Sequence, residues 1–250
     1  MAGPMSSIVN QEFWEGFWED RPQVIPDYDE QALGFRDIFD EYFKPGGTVF
    51  EVGCFPGRFL IYLCKRFGYT ANGIDWIPEI RTHTPEFLRR NGVAVGKFFC
   101  EDFEKFQCDE QFDVVYSLGF IEHFQNLEEI IRKHIALVKP GGTLFLSCPN
   151  FRGLQHVYHR LFDADNLRAH VLPTMDLRRW RRVLEANGMQ VVREGYYRTV
   201  GFWTNPGEAR GIRGSVSGSL VRVAEQLDRR FRIPNRLLSP HMFDISRKVR

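Results

Sequence analysis

The stretch Thr48–Phe59, TVFEVGCFPGRF, constrains the fold of this 250-residue chain more than any other. An apolar run reaches an acid, Glu51, and a turn holding Gly53, Pro56 and Gly57 then leads straight into residues with helical spacing. A strand that hands over to a helix through such a turn leaves bare backbone at a helix N-terminus, where a nucleotide-bearing ligand can approach closely.

Four more apolar runs follow. Thr70–Ile74 ends in Asp75 and Trp76, Val93–Cys100 in Glu101-Asp102-Phe103, and Phe112–Leu118 in Gly119, while Thr143–Cys148 follows the turn Lys139-Pro140-Gly141-Gly142. Short buried-type strands separated by helical stretches describe an open, mostly parallel α/β sheet. Asp75 lies roughly 20 residues beyond the glycine turn, the separation at which an acid ending the second strand takes ribose hydroxyls.

The blocks EVGCFPG (51–57), GID (73–75), EDF (101–103), FDVVYSLGFIEHF (112–124) and LVKPGGTLFLSCPN (137–150) together resemble the class I S-adenosylmethionine-dependent methyltransferase superfamily, in the family's order and spacing. The resemblance implies a Rossmann-like seven-stranded sheet with helices on both faces. Its last strand is antiparallel and slotted between the fifth and sixth. A single domain over 1–250 is expected: a helical lid (1–45), a cofactor-binding core (46–150), a substrate-side connection with a helix and strand six (151–200), a helical insertion (201–239) and the last strand (240–250).

The same resemblance implies S-adenosylmethionine as cofactor, released as S-adenosylhomocysteine, and assigns it residues. Glu51 anchors the turn, and Gly53, Cys54, Phe55 and Gly57 wrap the amino-acid end. Asp75 takes the ribose and Trp76 packs on adenine. Asp102, with the Phe103 amide, reads the adenine edge. Ser117 and Leu118 offer backbone carbonyls to the ammonium group. One position departs from the family turn, which has glycine where this chain has Phe55. The backbone there must be right-handed or extended, or the ring must wall the methionine end. A blocked pocket would instead make the chain a cofactor-binding regulatory or scaffold protein without turnover.

Methyl transfer is an in-line displacement at a sulfonium methyl, which is already a potent electrophile. The protein must hold the acceptor at roughly 3 Å on the sulfur axis and exclude water. A hydroxyl acceptor gains from a nearby base, and His suits neutral pH. His123 follows the fourth strand and His170 lies in the connection after the fifth, a segment that also holds His156 and His159. Glu122-His123 resembles a pair in quinone-type O-methyltransferases, some of which use a divalent cation. Two adjacent ligands alone make a poor metal site, and no metal is assigned.

Several acceptors are disfavoured. The loop after the fourth strand reads Ser117-Leu118-Gly119-Phe120 rather than the Asn/Asp-Pro-Pro-aromatic motif of amino methylation on DNA bases, and Glu122 alone cannot replace the glutamate pair that holds an arginine guanidinium. A small-molecule, sugar or lipid-linked glycan acceptor, methylated on oxygen, is expected. The formal charge of +1 gives no reason to expect nucleic acid.

Elsewhere, Phe13, Trp14, Phe17 and Trp18 share one helical face, as do Leu33, Phe35, Ile38, Phe39, Tyr42 and Phe43. The spacing predicts a helix over Leu177–Asn187 ended by Gly188, strands over Gln190–Tyr196 and His241–Arg247, and a helix over Leu220–Phe231. Residues 151–172 read as a connection. From Arg210 to Arg250 ten Lys/Arg face three acids, a net +7 that suits an acidic acceptor or peripheral contact with an anionic membrane surface. Five cysteines without CxxC spacing, no apolar run of membrane-spanning length and no signal peptide point to a cytoplasmic protein with reduced thiols. Met1–Met5 reads as a cloning remnant or an alternative start.

Overall fold

A computed structural model describes residues 7–19, 33–204 and 211–249; the Met1–Met5 segment, Arg210 and Arg250 lie outside the described residues. Seven strands form one sheet: β1 (Thr48–Val52), β2 (Thr70–Asp75), β3 (Val95–Cys100), β4 (Phe112–Leu118), β5 (Val138–Pro149), β6 (Met189–Tyr197) and β7 (His241–Lys248). Their order is β3-β2-β1-β4-β5-β7-β6, with β7 antiparallel to both of its neighbours and the other pairings parallel. The order reverses between β1 and β4. A crevice opens at the carboxyl ends of the strands at such a switch point.

Helices α1 (Gln11–Glu19), α2 (Arg36–Tyr42), α3 (Arg58–Phe67), α4 (His83–Arg90), α5 (Leu127–Ala136), α6 (Leu154–Phe162), α7 (Ala164–Arg168), α8 (Leu177–Ala186) and α9 (Gly211–Arg230) complete the chain. Two apolar layers sandwich the sheet. In one, Phe39, Leu60 and Leu63 pack with Tyr116 and Phe145; in the other, Ile130, Ile131 and Trp180 pack with Phe50 and Val115. Alternating faces of the same strands feed the two layers, which is why the strands read as continuous apolar runs.

Inside the sheet, buried Asn72 donates to the Val49 and Thr70 carbonyls at 3.3 and 3.1 Å and accepts from the Lys97 amide at 2.8 Å. A Cβ on Gly96 would meet its Oδ1 at 2.2 Å. The β2–β3 register shifts here, between Ala71 and Gly73.

Three expectations change. β5 begins at Val138, not Thr143, because the Lys139–Gly142 turn is carried inside the strand: Phe112 pairs with Val138, yet Val114 pairs with Thr143. Asp113 sits opposite this irregularity and accepts from Lys139 Nζ at 2.8 Å and from the Thr48 amide at 2.8 Å. Residues 151–172, expected as a connection without named elements, contain α6 and α7. The helix expected from Leu220 begins at Gly211. Sparse apolar residues before Leu220 hide that first half.

Candidate active site

The turn after β1 is shaped by two left-handed glycines, Gly53 (φ 75°) and Gly57 (φ 98°). A Cβ at Gly53 would lie 2.9 Å from the Phe120 ring, and one at Gly57 2.9 Å from Thr84 Cγ2, so space as well as dihedral angle demands glycine. Phe55 does not adopt positive φ. Its N–H donates to Asp75 Oδ2 at 2.8 Å, and its ring stands edge-on to Trp18 at 5.2 Å, forming an aromatic wall of the crevice. Cys54 also lines the crevice, and its Sγ uses the space that a Cβ on Gly73 would take.

Glu51, Asp75, Trp76, Asp102 and Phe103 line the same crevice. Asp75 Oδ1 accepts the Ile77 amide at 3.1 Å, so backbone amides take part of the carboxylate and at least one lone pair remains for a ligand. Burial raises its pKa, partly offset by the Phe55, Ile77 and Trp76 amides. Buried Asp102 accepts the Glu104 amide at 2.9 Å, and its Oδ2 lies 3.3 Å from Lys105 Nζ. Burial also holds the Glu51 carboxyl well above the usual range, offset in part by the Tyr116 hydroxyl.

Leu118 and Gly119 form the next part of the wall. Ser117, expected beside them, is not brought to it. It is fully buried within the sheet, paired with Val52 and Leu146, one residue short of the strand end where the crevice begins. Trp14 and Trp18 of α1 also line the crevice. Of the second amphipathic segment, Ile38, Phe39 and Phe43 enter the core, while residues 33–37 reach a second cavity.

That second cavity, about 1070 Å³ against about 180 Å³ for the crevice, adjoins it along Trp14, Arg58, Phe59, Leu118, Gly119 and His123. His123 therefore stands at the junction, and His170 faces the larger chamber together with Glu122 and Trp203. The His123 and His170 ring centroids are 4.7 Å apart. His123 Nδ1 lies 2.7 Å from the Ala169 carbonyl and His170 Nδ1 2.6 Å from that of Asn166. Burial pushes the His123 pKa down to about 4, against the Ala169 and Gly119 carbonyls, and His170 down to about 3 with help from His123. Both rings are neutral at pH 7.

Glu122, marked in the sequence only through its pairing with His123, lines the larger chamber, and so does Trp203, which comes from the segment after β6 and which nothing in the sequence marks. Cys148 and Pro149 line the larger chamber, whereas Asn150 donates to the Arg236 and Ser239 carbonyls at 3.0 and 2.8 Å and so fastens the chain before β7.

Comparison with known proteins gives the family and the fold. Residues 17–194 match a family described as a methyltransferase domain. The chain belongs to this family of methyltransferases, and its methyl donor is S-adenosylmethionine. It is 26% identical over 123 residues to norajmaline N-methyltransferase of Rauvolfia serpentina, covering 47% of this chain and 41% of that protein. It is 31% identical over 145 residues to ubiquinone biosynthesis O-methyltransferase of Pseudomonas paraeruginosa, covering 54% and 58% respectively. The chain thus spans less than two thirds of either relative. A crystal structure of a methyltransferase from Bacillus halodurans C-125 shares the fold at TM-score 0.60 and 15% identity, covering 85% of this chain and 97% of that one.

The residues fit the cofactor. Two carboxyls with spare lone pairs, the cradle of Gly53 and Gly57 that a Cβ would fill, and aromatic walls from Phe55, Trp76 and Phe103 converge on one crevice. When bound, the cofactor supplies the electrophilic methyl group; Asp75 would hold its ribose and Asp102 its adenine edge.

Proposed function

We propose that the chain methylates a hydroxyl of a bulky small-molecule, sugar or lipid-linked acceptor. The observation that carries this is His123 at the meeting of crevice and chamber, with His170 beside it. A carbonyl lies against Nδ1 of each ring, and with the proton on Nδ1 each ring keeps an Nε2 lone pair. These lone pairs receive the acceptor's O–H and orient its oxygen. Trp14 over His123, edge-on at 5.0 Å, helps to exclude water, consistent with α1 acting as a lid. Relatives bearing N-methyltransferase names leave nitrogen as the competing acceptor atom.

A second observation favours a lipid-linked acceptor. Ile212, Val216, Leu220, Val223 and Leu227 form an exposed apolar stripe on α9, continued by Phe231 just beyond it, with Arg213, Arg222, Arg229 and Arg230 on the same helix. Leu154, Val157 and Leu161 are likewise exposed on α6, which is joined to α9 by Tyr158 Oη and Ser217 Oγ at 2.7 Å. An amphipathic, arginine-bearing face of this kind suits the headgroup layer of an anionic bilayer. No helix among the described residues is long and apolar enough to cross a membrane. The five cysteines are unpaired, in keeping with a cytoplasmic, reducing setting.

The test is calorimetric titration with S-adenosylhomocysteine, followed by an acceptor panel with labelled S-adenosylmethionine. Low-micromolar binding and label transfer to a hydroxyl are expected. Binding without transfer to any acceptor would favour a regulatory protein of the same fold, and transfer to amines alone would overturn the oxygen assignment.

A further inference from the structure

Glu122 is fully buried, and neither of its carboxyl oxygens has a hydrogen-bond partner. A wholly buried, unpartnered carboxyl is expensive and calls for an explanation. Its Oε1 lies 4.0 Å from His123 Nε2 and 4.0 Å from His170 Nε2. One donor atom from each of the three residues falls within 4.8 Å of the others.

The two rings arrive from different parts of the chain and are held in the same way. His123 sits in the short turn after β4, its Nδ1 against the Ala169 carbonyl; His170 follows α7, its Nδ1 against the Asn166 carbonyl. A carbonyl at Nδ1 fixes the proton there and aims the Nε2 lone pair forward, the arrangement that orients metal-ligating histidines. The Val171 amide donates to the Glu122 carbonyl at 2.8 Å, tying the His170 segment to the Glu122–His123 turn.

We propose that Glu122, His123 and His170 bind one first-row divalent cation at the wall of the acceptor chamber. Two imidazoles and one carboxylate are a borderline-soft donor set, suited to Zn²⁺, Co²⁺ or Fe²⁺ rather than Mg²⁺ or Ca²⁺. Metal–nitrogen bonds of about 2.0–2.1 Å require the donors to draw together by several tenths of an ångström, within reach of small side-chain rotations. The chamber leaves a coordination position for an acceptor oxygen. A cation there lowers that oxygen's pKa and delivers it as an alkoxide or phenolate, with the proton passing to solvent. With the cation bound, the two Nε2 lone pairs ligate it, and the metal rather than the imidazoles receives the acceptor oxygen; this catalytic consequence rests on the acceptor reading above, whereas the cation site itself does not.

The experiment titrates the chelator-treated, full-length protein with Co²⁺, following d–d absorption and heat. Wild type is expected to take up one Co²⁺ per chain with a spectrum of nitrogen and oxygen ligation. Glu122→Gln and His170→Ala should each weaken binding at least tenfold, whereas His156→Ala, outside the cluster, should not. Circular dichroism and S-adenosylhomocysteine titration of the same samples show whether each variant is folded. If Glu122→Gln fails to fold, His170→Ala decides. Equal Co²⁺ uptake by wild type and His170→Ala, or none by wild type, overturns the site. Retained S-adenosylhomocysteine binding in that case leaves the methyltransferase reading standing.

Discussion

The Phe55 amide donates to the Asp75 carboxylate at 2.8 Å, so the one residue that departs from the expected glycine turn is bonded to the acid that ends the neighbouring strand. Asp75 thereby does two things: it holds the turn in shape and presents its remaining lone pairs to the crevice. Phe55 needs no left-handed backbone, because Gly53 and Gly57 on either side supply it.

Replacing Asp75 by Ala removes both roles. S-adenosylhomocysteine affinity should fall at least a hundredfold, and losing two amide partners should cost about 1–3 kcal/mol of stability. Calorimetric titration paired with urea unfolding checks this. Unchanged affinity would end the ribose role, and unchanged stability would end the turn-holding role.

The half of the sheet that lines the crevice is legible in the sequence because β1 to β4 are short apolar runs with a marked residue at or near the carboxyl end: Glu51, Asp75, Asp102 and Gly119. Periodicity carries that information. The acceptor side was not legible, since His123 and His170 are 47 positions apart and only the path through α6 and α7 brings them together. Helices α6 and α9 were missed, wholly or in half, for a related reason. Their large aliphatic residues face outward and their buried faces are largely polar or small, as with Gln155 and His159 on α6 and Ser217 on α9, so no inward apolar pattern marks them.

Burial governs how stability changes with pH at His134. The ring is buried against Phe103 at 4.8 Å, its Nδ1 lies 2.8 Å from the Ile130 carbonyl, and burial pushes its pKa down to about 4. An unfolded His titrates near 6.5, so between these values the unfolded chain binds more protons and stability falls as pH drops. The loss should reach about 2 kcal/mol by pH 5. Asp244, raised to about 7 chiefly by burial, works in the opposite direction as pH rises, so a difference measurement is needed. Urea unfolding of wild type and His134→Gln at pH 7.5 and pH 5 should show the smaller acid loss in the variant. Equal losses would remove His134 from the account.

The exposed stripe on α9 makes a prediction about lipid. Wild type should sediment with phosphatidylglycerol vesicles at low salt and far less with phosphatidylcholine, because each surface arginine adds about 1 kcal/mol on an anionic bilayer. Val216→Asp combined with Val223→Asp should cut the bound fraction at least tenfold without changing S-adenosylhomocysteine affinity. Equal binding of the variant, or none by wild type, would sink the membrane contact.

The last prediction concerns what holds that helix in place. Among the described residues of α9, only Ser217 and Ala224 are buried, so packing contributes little to its attachment. Asp228 contributes more: it accepts the Thr199 amide at 2.6 Å and Arg198 Nε at 2.8 Å, joining α9 to the segment that carries Trp203 into the larger chamber. Asp228→Ala leaves the Thr199 amide without that acceptor, a cost of about 1–3 kcal/mol. Because the seven-stranded core does not depend on this contact, the penalty should appear as local opening rather than global unfolding. Protease cleavage within 211–230 should accelerate at least tenfold, and acceptor turnover should fall as the chamber wall loosens. Urea unfolding of the core and cofactor affinity should stay near wild type. An unchanged cleavage rate would show that α9 is anchored by something other than Asp228.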